Sequence, residues 1–374
     1  MARSEQASVA VIHNFVGEDE YEVLRRKVQD GSIESPTGRL DDIAQIATVR
    51  DEIRAIASAL ECEGFATRII NIQDDFERLL GALKEPRPDA VFNLVESFRY
   101  DARQEARVAA LYELLGIPYT GSPPLTLAVC QRKGLTKQIL KANGIPTPRY
   151  KLVARRPIPR LSGLRYPLIV KPSSEDASLG IHEKSIVENR EQLENRVNLV
   201  LTQYRQPALI EEFVAGRELG ISVLGNRGPQ VLPVEEVDFS GLPPEYWGIV
   251  TFESKWNPLH EVFHKADLIC PARLPRVVKR RVRDVALRTY QILGCRDYAR
   301  IDMRLDKESR LYVLEVNPNP DLTEGVAFMA SAAAAGLTFG ATLRRIVEEA
   351  LARGRKTDRA AAESRPDESI LVQE

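Results

Sequence analysis

Cysteine and histidine are both scarce in this sequence. The four cysteines (Cys62, Cys130, Cys270, Cys295) stand far apart with no C-x-x-C pair, so no disulfide framework or thiol-redox motif is expected, only bland buried thiols. There are only four histidines. No apolar run approaches the roughly 20 residues that a spanning helix needs. Residues 1–10, MARSEQASVA, lack the apolar stretch of a signal peptide, and a cytoplasmic location is the expectation. Neither sign of charge is in excess. Fifty-two Lys and Arg against 53 Asp and Glu leave a formal charge of −1, with no global attraction to nucleic acid or to an anionic membrane. No internal repeat is visible. What is present is 374 residues, 44% of them hydrophobic, enough for two or three packed subdomains.

Apolar runs and helical periodicity alternate through the first third. VAVIHNF (9–15) reads as a buried strand, and Asp41–Cys62 as an amphipathic helix stopped at Gly64. FATRIINI, DDFERLLGALKE, DAVFNLVES (89–97) and ARVAALYELLG continue the pattern, which predicts a parallel α/β domain over about residues 1–125. Beyond it, LTKQILKANG (135–144) is a helix and YPLIVKP a strand. ALIEEFVAGRELGISVLG is two strands about a turn at Gly216, and residues 226–275 are irregular. A helix over 275–293 leads to two alternating strands, YARIDMRLD and RLYVLEVNP, and a helix near 339–353 follows. The polar tail, 354–374, has no period and is expected to be disordered.

His260-Glu261-Val262-Phe263-His264 matches the H-E-x-x-H pattern of zinc proteases. That chemistry requires a helix, where i and i+4 put both histidines on one face. Here Pro258 and Pro271 bracket the pattern and LHEVFHKADLIC reads as loop or strand. The other histidines, His13 and His182, lie far off in different elements. Zinc proteolysis is the weak reading.

Period two puts Arg300, Asp302 and Arg304 on one strand face, and Glu315 with Asn317 on another. If the strands pair as a hairpin, Asp302, Glu315 and Asn317 converge as hard oxygen ligands suited to magnesium, with Arg300 beside them as an oxyanion donor. A merely solvated polar face is the alternative. In LIVKPSSEDASLGI (168–181), Lys171 ends a buried strand before a loop of small and acidic residues closing at Gly180, an arrangement that can hold phosphate. No Walker loop is present, and an ordinary surface turn is the alternative.

Strand-KPS-loop-G, then IEEFVAGRELGISVLG, FESKW and RIDMRLD…LYVLEVNPNP, in this order and spacing, resembles the ATP-grasp superfamily, and within it the D-alanine–D-alanine ligases. The resemblance covers about residues 88–352 and includes GIPYTGS (116–122). It implies a fold of mixed α/β and α+β class: an ATP-grasp fold with an N-terminal Rossmann-like parallel α/β domain. The expected partition is 1–125, 126–220 and 221–353, with a mobile lid at about 240–270.

The same resemblance implies an ATP-dependent carboxylate–amine ligase working through an acyl-phosphate, with ATP and two magnesium ions (manganese as the alternative) on Asp302, Glu315 and Asn317. Arg300 matches the arginine that stabilises the tetrahedral intermediate, and Lys255 the lid lysine that reaches the γ-phosphate. Lys133 and Lys171 match the phosphate lysines. Ser178 in the loop, with Glu211, Glu212, Val214 and Glu218, matches the nucleotide-binding positions, Glu211 toward the adenine amino group and Glu218 toward the ribose. Glu212 departs from the usual lysine.

The substrate positions also depart. Ala177 stands where a loop serine is usual, Trp256 for a lid tyrosine, Glu96 for a histidine, Asp321 for a glycine and Val326 for a serine. Losing hydroxyls that pair with a carboxylate weakens that ligand. The expected substrates are therefore other small amino acids or a peptide, with Glu96, Trp256 and Asp321 as substrate contacts. Partners are expected to be small molecules, with no nucleic acid and no membrane, in a homodimer. A true D-alanine–D-alanine ligase, an ATP-grasp small-molecule kinase and a non-catalytic nucleotide-binding module are the competing readings.

Overall fold

Four consecutive apolar residues in β1 (Ser8–His13), Val9 to Ile12, are at most 1% exposed, as expected of a strand covered on both faces. The computed structural model describes residues 6–17, 19, 22, 23, 26, 48–175, 178–243, 245–257, 260, 262, 263 and 265–363, with side chains through 355. After β1 come α1 (Val49–Cys62), β2 (Ala66–Asn71), α2 (Phe76–Lys84), β3 (Ala90–Leu94) and α3 (Glu105–Leu114). The strands form a parallel sheet in the order β2-β1-β3. Asp75 caps α2 by accepting from the backbone N–H groups of Glu77 and Arg78. The last helix among the described residues belongs to this same compact unit, where Arg353 Nη2 donates to the Tyr119 carbonyl at 2.5 Å.

The second unit centres on residues 122–339. It opens with α4 (Pro124–Cys130) and α5 (Lys133–Ala142). Then β4 (Tyr150–Val153), β5 (Leu168–Pro172), β6 (Ile186–Val187) and β7 (Ala208–Glu212) form an antiparallel sheet in the order β4-β7-β5-β6. Helix α6 (Arg190–Leu199) covers it, packing Leu193 and Val197 on Val170 and Ile210.

A larger sheet follows, ordered β11-β10-β8-β12-β13 with β9 paired to β8. Its strands are β8 (Arg217–Leu224), β9 (Gln230–Val231), β10 (Glu235–Asp238), β11 (Asp267–Ile269), β12 (Tyr298–Leu305) and β13 (Leu311–Asn317). Two helices interrupt them, α7 (Phe252–Trp256) and α8 (Arg276–Ile292), and α9 (Ala327–Ala334) and α10 (Phe339–Glu363) follow. Val278, Val282, Ala286 and Tyr290 of α8 pack on Leu219, Ile221, Val223, Ala299, Ile301 and Met303, so one face of this sheet is core.

Three expectations need correction. Residues 226–275, expected to be irregular, carry the short elements β9, β10, α7 and β11. The segment 354–363 is helical, as the continuation of α10. Arg, Lys, Ala and Glu are strong helix formers and no proline intervenes before Pro366. Residues 364–374 lie outside the described residues. Nor are the thiols uniformly buried: Cys130 is, Cys62 is exposed, and Cys270 and Cys295 are half-buried. Among the described residues no helix is long and apolar enough to cross a membrane.

Candidate active site

The face of the large sheet turned away from α8 is polar because side chains alternate along each strand. Antiparallel register sets them in transverse rows. Asn317, Arg300 and Ser222 face one another; Glu315, Asp302, Gly220 and Glu235 form the next row; Arg304 and Glu218 the next. The hairpin inferred for β12 and β13 therefore exists, and a register shift after Asp302 falls at the convergence point. Arg300 forks onto Asp302, Nε to Oδ1 at 2.7 Å and Nη2 to Oδ2 at 2.9 Å. Asn317 Nδ2 donates to the same Oδ2 at 2.9 Å. Burial opposes the Arg300 charge, but Asp302 holds its pKa above the ordinary value.

Lys133, at the start of α5, reaches Glu315 Oε2 at 2.6 Å. Burial would raise the Glu315 carboxyl, but Lys133 and then Lys171 outweigh it and bring it down to about 2. Lys171 ends β5 on the small sheet and ion-pairs with Glu211 Oε2 at 2.6 Å. Lys137, one helical turn beyond Lys133, ion-pairs with Glu211 Oε1 at 2.5 Å. Lys137 also donates to Thr147 Oγ1 at 2.8 Å and the Leu314 carbonyl at 3.0 Å. Burial would raise Glu211, yet Lys137 and Lys171 hold it below its ordinary value, while burial pulls Lys137 down to about 8.

Glu218 receives Arg304 Nη2 at 2.6 Å. Burial pushes the Glu218 carboxyl up against the pull of Arg304. Arg304 also donates to the Gly216 and Gly248 carbonyls, at 3.0 and 2.5 Å, and lies against the rings of Phe213 and Phe239. Glu212 turns elsewhere, accepting from the Arg165 N–H at 3.0 Å. Val214 follows β7 in the turn to β8.

In the loop after β5, Ser178 has a left-handed backbone (φ +62°) and its carbonyl accepts from the Ile181 N–H at 2.9 Å. A Cβ at Gly180 (φ +76°) would lie 2.7 Å from Pro172 and 2.9 Å from the Tyr204 ring, so only glycine closes this turn. Ala177 lies outside the described residues. Helix α7 begins in a capping box between Thr251 and Ser254 and is tied to the loop twice. Phe252 N–H donates to the Ile181 carbonyl at 2.9 Å, and Glu253 Oε1 lies 2.5 Å from His182 Nδ1. Lys255 sits over the Trp256 ring, 4.9 Å from its centre. Asp321 spends Oδ1 on the Thr323 N–H and hydroxyl, at 2.8 and 2.6 Å, which closes a local turn. Glu96 follows β3 in the first unit.

The backbone about His260 forms successive turns, Phe263 N–H to the His260 carbonyl and Lys265 N–H to that of Val262. Glu261 and His264 lie outside the described residues. Among the described residues no group of three His, Cys, Asp or Glu side chains is arranged to hold a metal ion.

Lys137 and Glu235 were missed from sequence. The signal for Lys137 was its i+4 spacing from Lys133, which shares a helix face.

Two antiparallel sheets, with Lys171 of the small sheet and Lys133 of α5 acting on Glu315 of the large one, make up the ATP-grasp arrangement. Residues 139–348 match the family model for the D-ala D-ala ligase C-terminus. The D-alanine–D-alanine ligase of Desulforudis audaxviator is 36% identical over 293 residues, 76% of this chain and 88% of that protein. An uncharacterized protein of Sinorhizobium fredii, y4sG, is 35% identical over 260 residues, 70% of this chain and 74% of that one. The fold matches the crystal structure of D-alanine–D-alanine ligase from Bacillus anthracis at a TM-score of 0.70 and 23% identity, over 94% of this chain and 99% of that one. The chain belongs to the D-alanine–D-alanine ligase family and is an ATP-dependent ligase that forms a C–N bond.

Proposed function

We propose that this ligase joins the carboxylate of one small amino acid or peptide to the amine of another, on a pair other than two D-alanines. The γ-phosphoryl group of ATP passes to the carboxylate oxygen and ADP leaves. The amine then attacks the acyl carbon, loses a proton, and phosphate departs. The observation that carries this reading is the adjacency of Arg300, Asp302 and Glu315 on one sheet face, with Lys133 of α5 reaching Glu315.

Asp302, Glu315 and the Asn317 carboxamide are hard oxygen donors that fit magnesium, or manganese, in the two-ion arrangement expected. A metal bound there supplies charge that offsets the phosphates and polarises them. Lys133 and Lys171 hold phosphate oxygens, and Lys255 adds a third cation from the lid. Arg300 donates to the oxyanion of the tetrahedral intermediate. The turn at Ser178 contributes backbone N–H groups. Glu211, Val214 and Glu218 frame the nucleoside, Glu211 toward the adenine amino group and Glu218 toward the ribose, while Glu212 turns to the Arg165 N–H. The ties from α7 to Ile181 and His182 keep water from the acyl-phosphate when ATP is bound. Tyr100 and Leu114, both 84% exposed in the first unit, are apolar surface that a homodimer would cover, which sedimentation tests.

The substrate part rests on Trp256, Glu96 and Val326, with Asp321 contributing through Oδ2. ADP release and product masses over a panel of amino acids and dipeptides test it. Turnover is expected to need both a carboxylate and an amine. Fast turnover with D-alanine alone overturns the substrate assignment, and a stable phosphorylated product formed without any amine replaces ligation by a kinase reaction.

A further inference from the structure

Glu235 has no part in the chemistry above, yet it opens β10 on the same polar face and is only 3% exposed. A carboxylate so deeply buried needs partners. Its Oε1 accepts from Ser222 Oγ at 3.0 Å and Ser331 Oγ at 2.7 Å. The single Ser331 hydroxyl hydrogen is shared, because that oxygen also lies 2.8 Å from the Pro233 carbonyl. Oε2 receives no hydrogen bond among the described residues. It leans over Gly220, where a Cβ would stand 2.9 Å away. Gly220 is also the β8 partner of Asp302, so the missing side chain leaves room in the row between Asp302 and Glu235. The charged groups acting on Glu235 are Arg300, already forked on Asp302, and Asp302 itself. Burial holds the Glu235 carboxyl above its ordinary range, with Arg300 only partly opposing this.

We infer that Glu235 is a specificity residue that binds an ammonium group of the substrate through Oε2, with Ser222 and Ser331 orienting the carboxylate and Gly220 clearing its path. This rests on the ligase reading and on Arg300 facing the reacting centre. A cation at Oε2 would pair with the carboxylate oxygen that the two serines leave open, and an uncharged or acidic group there would not.

The test uses the full chain with magnesium and ATP, over a panel containing D-alanine, L-alanine, β-alanine, D-lysine and D-ornithine. ADP release gives KM for the best amino-acid pair. Glu235→Gln is expected to raise KM for one amino acid about 10- to 100-fold and to leave KM for ATP within about twofold. Glu235→Val, with an apolar group that suits burial, should do the same and guards against misfolding of the glutamine variant; an ATP-induced rise in melting temperature confirms that each is folded. Gly220→Ala keeps the charge and displaces Oε2, so it is expected to raise the same KM; a merely structural Glu235 would leave that KM alone. Unchanged amino-acid KM in folded Glu235→Val overturns the proposal while the ligase reading stands. ADP release by the unaltered protein that needs no amine overturns both.

Discussion

Arg300 holds Asp302 from two residues away on the same strand, through two hydrogen bonds at 2.7 and 2.9 Å. Only the i, i+2 alternation of a strand permits this, and it points both side chains at the same space. The planar fork of the guanidinium is what fits both carboxylate oxygens. Asp302 thus aims the arginine that is proposed to meet the developing oxyanion.

Arg300→Lys keeps the charge and loses the fork. It is expected to lower kcat about 100-fold or more, the scale of losing one positioned donor, with KM for ATP changed by less than about threefold. Steady-state ADP release checks this. An Arg300→Lys enzyme with unaltered kcat removes Arg300 from the reacting centre.

Glu218 and Arg304 face each other across β8 and β12, 2.6 Å apart. Arg304 is held independently by two carbonyls and two rings, so Glu218 can be changed without releasing it. Glu218→Gln is expected to raise KM for ATP about tenfold, the scale of one charge-assisted hydrogen bond, with kcat within about threefold. If Glu218 serves only to neutralise Arg304, melting temperature falls and KM for ATP does not move.

Much of this was legible in the sequence. Alternation alone put Arg300 with Asp302, and Glu315 with Asn317, and the two strands do pair as the hairpin that brings them together. The run VAVI in β1 was readable because a strand covered on both faces needs no alternation. Glu235 was not legible, since EEVD in β10 shows two adjacent carboxylates and only the register with Gly220 says which one turns inward. The tail was misjudged for a related reason: without an apolar stripe the helical propensity of RKTDRAAAE went unread. Asp321 was expected as a substrate contact, and the short-range turn onto Thr323 that takes up Oδ1 is common chemistry for aspartate.

Lys137 and Glu211 are each about 1% exposed and meet at 2.5 Å, linking α5 to β7. Removing Lys137 leaves Glu211 Oε1 without its ammonium partner while Lys171 still offsets the charge, which costs about 1–3 kcal/mol. Lys137→Met is expected to destabilise the protein by that amount, measured by urea unfolding. The methionine fills most of the lysine stem, so cavity formation contributes little. Because Lys171 still holds Oε2 of Glu211, ATP should bind to the folded fraction. A Lys137→Met protein as stable as the unaltered one would show that the pair gains nothing over a packed apolar side chain.

His13 ends β1 with its Nδ1 buried and without a hydrogen-bond partner among the described residues. Burial lowers its pKa from 6.5 to about 4. The unfolded chain therefore binds a proton at His13 between those values while the folded chain does not, so stability rises with pH across that window. Its contribution is intact above about pH 6.5 and lost progressively as pH falls toward 4. His13→Asn and His13→Leu remove the titration and are expected to flatten the stability profile between pH 6.5 and 4, measured by urea unfolding at half-unit steps. Other carboxylates also titrate at the acid end of that range, so the difference between each variant and the unaltered protein isolates His13. A difference that stays constant with pH would mean that the imidazole is protonated equally in the folded and unfolded chains, and that water reaches Nδ1 in the native state.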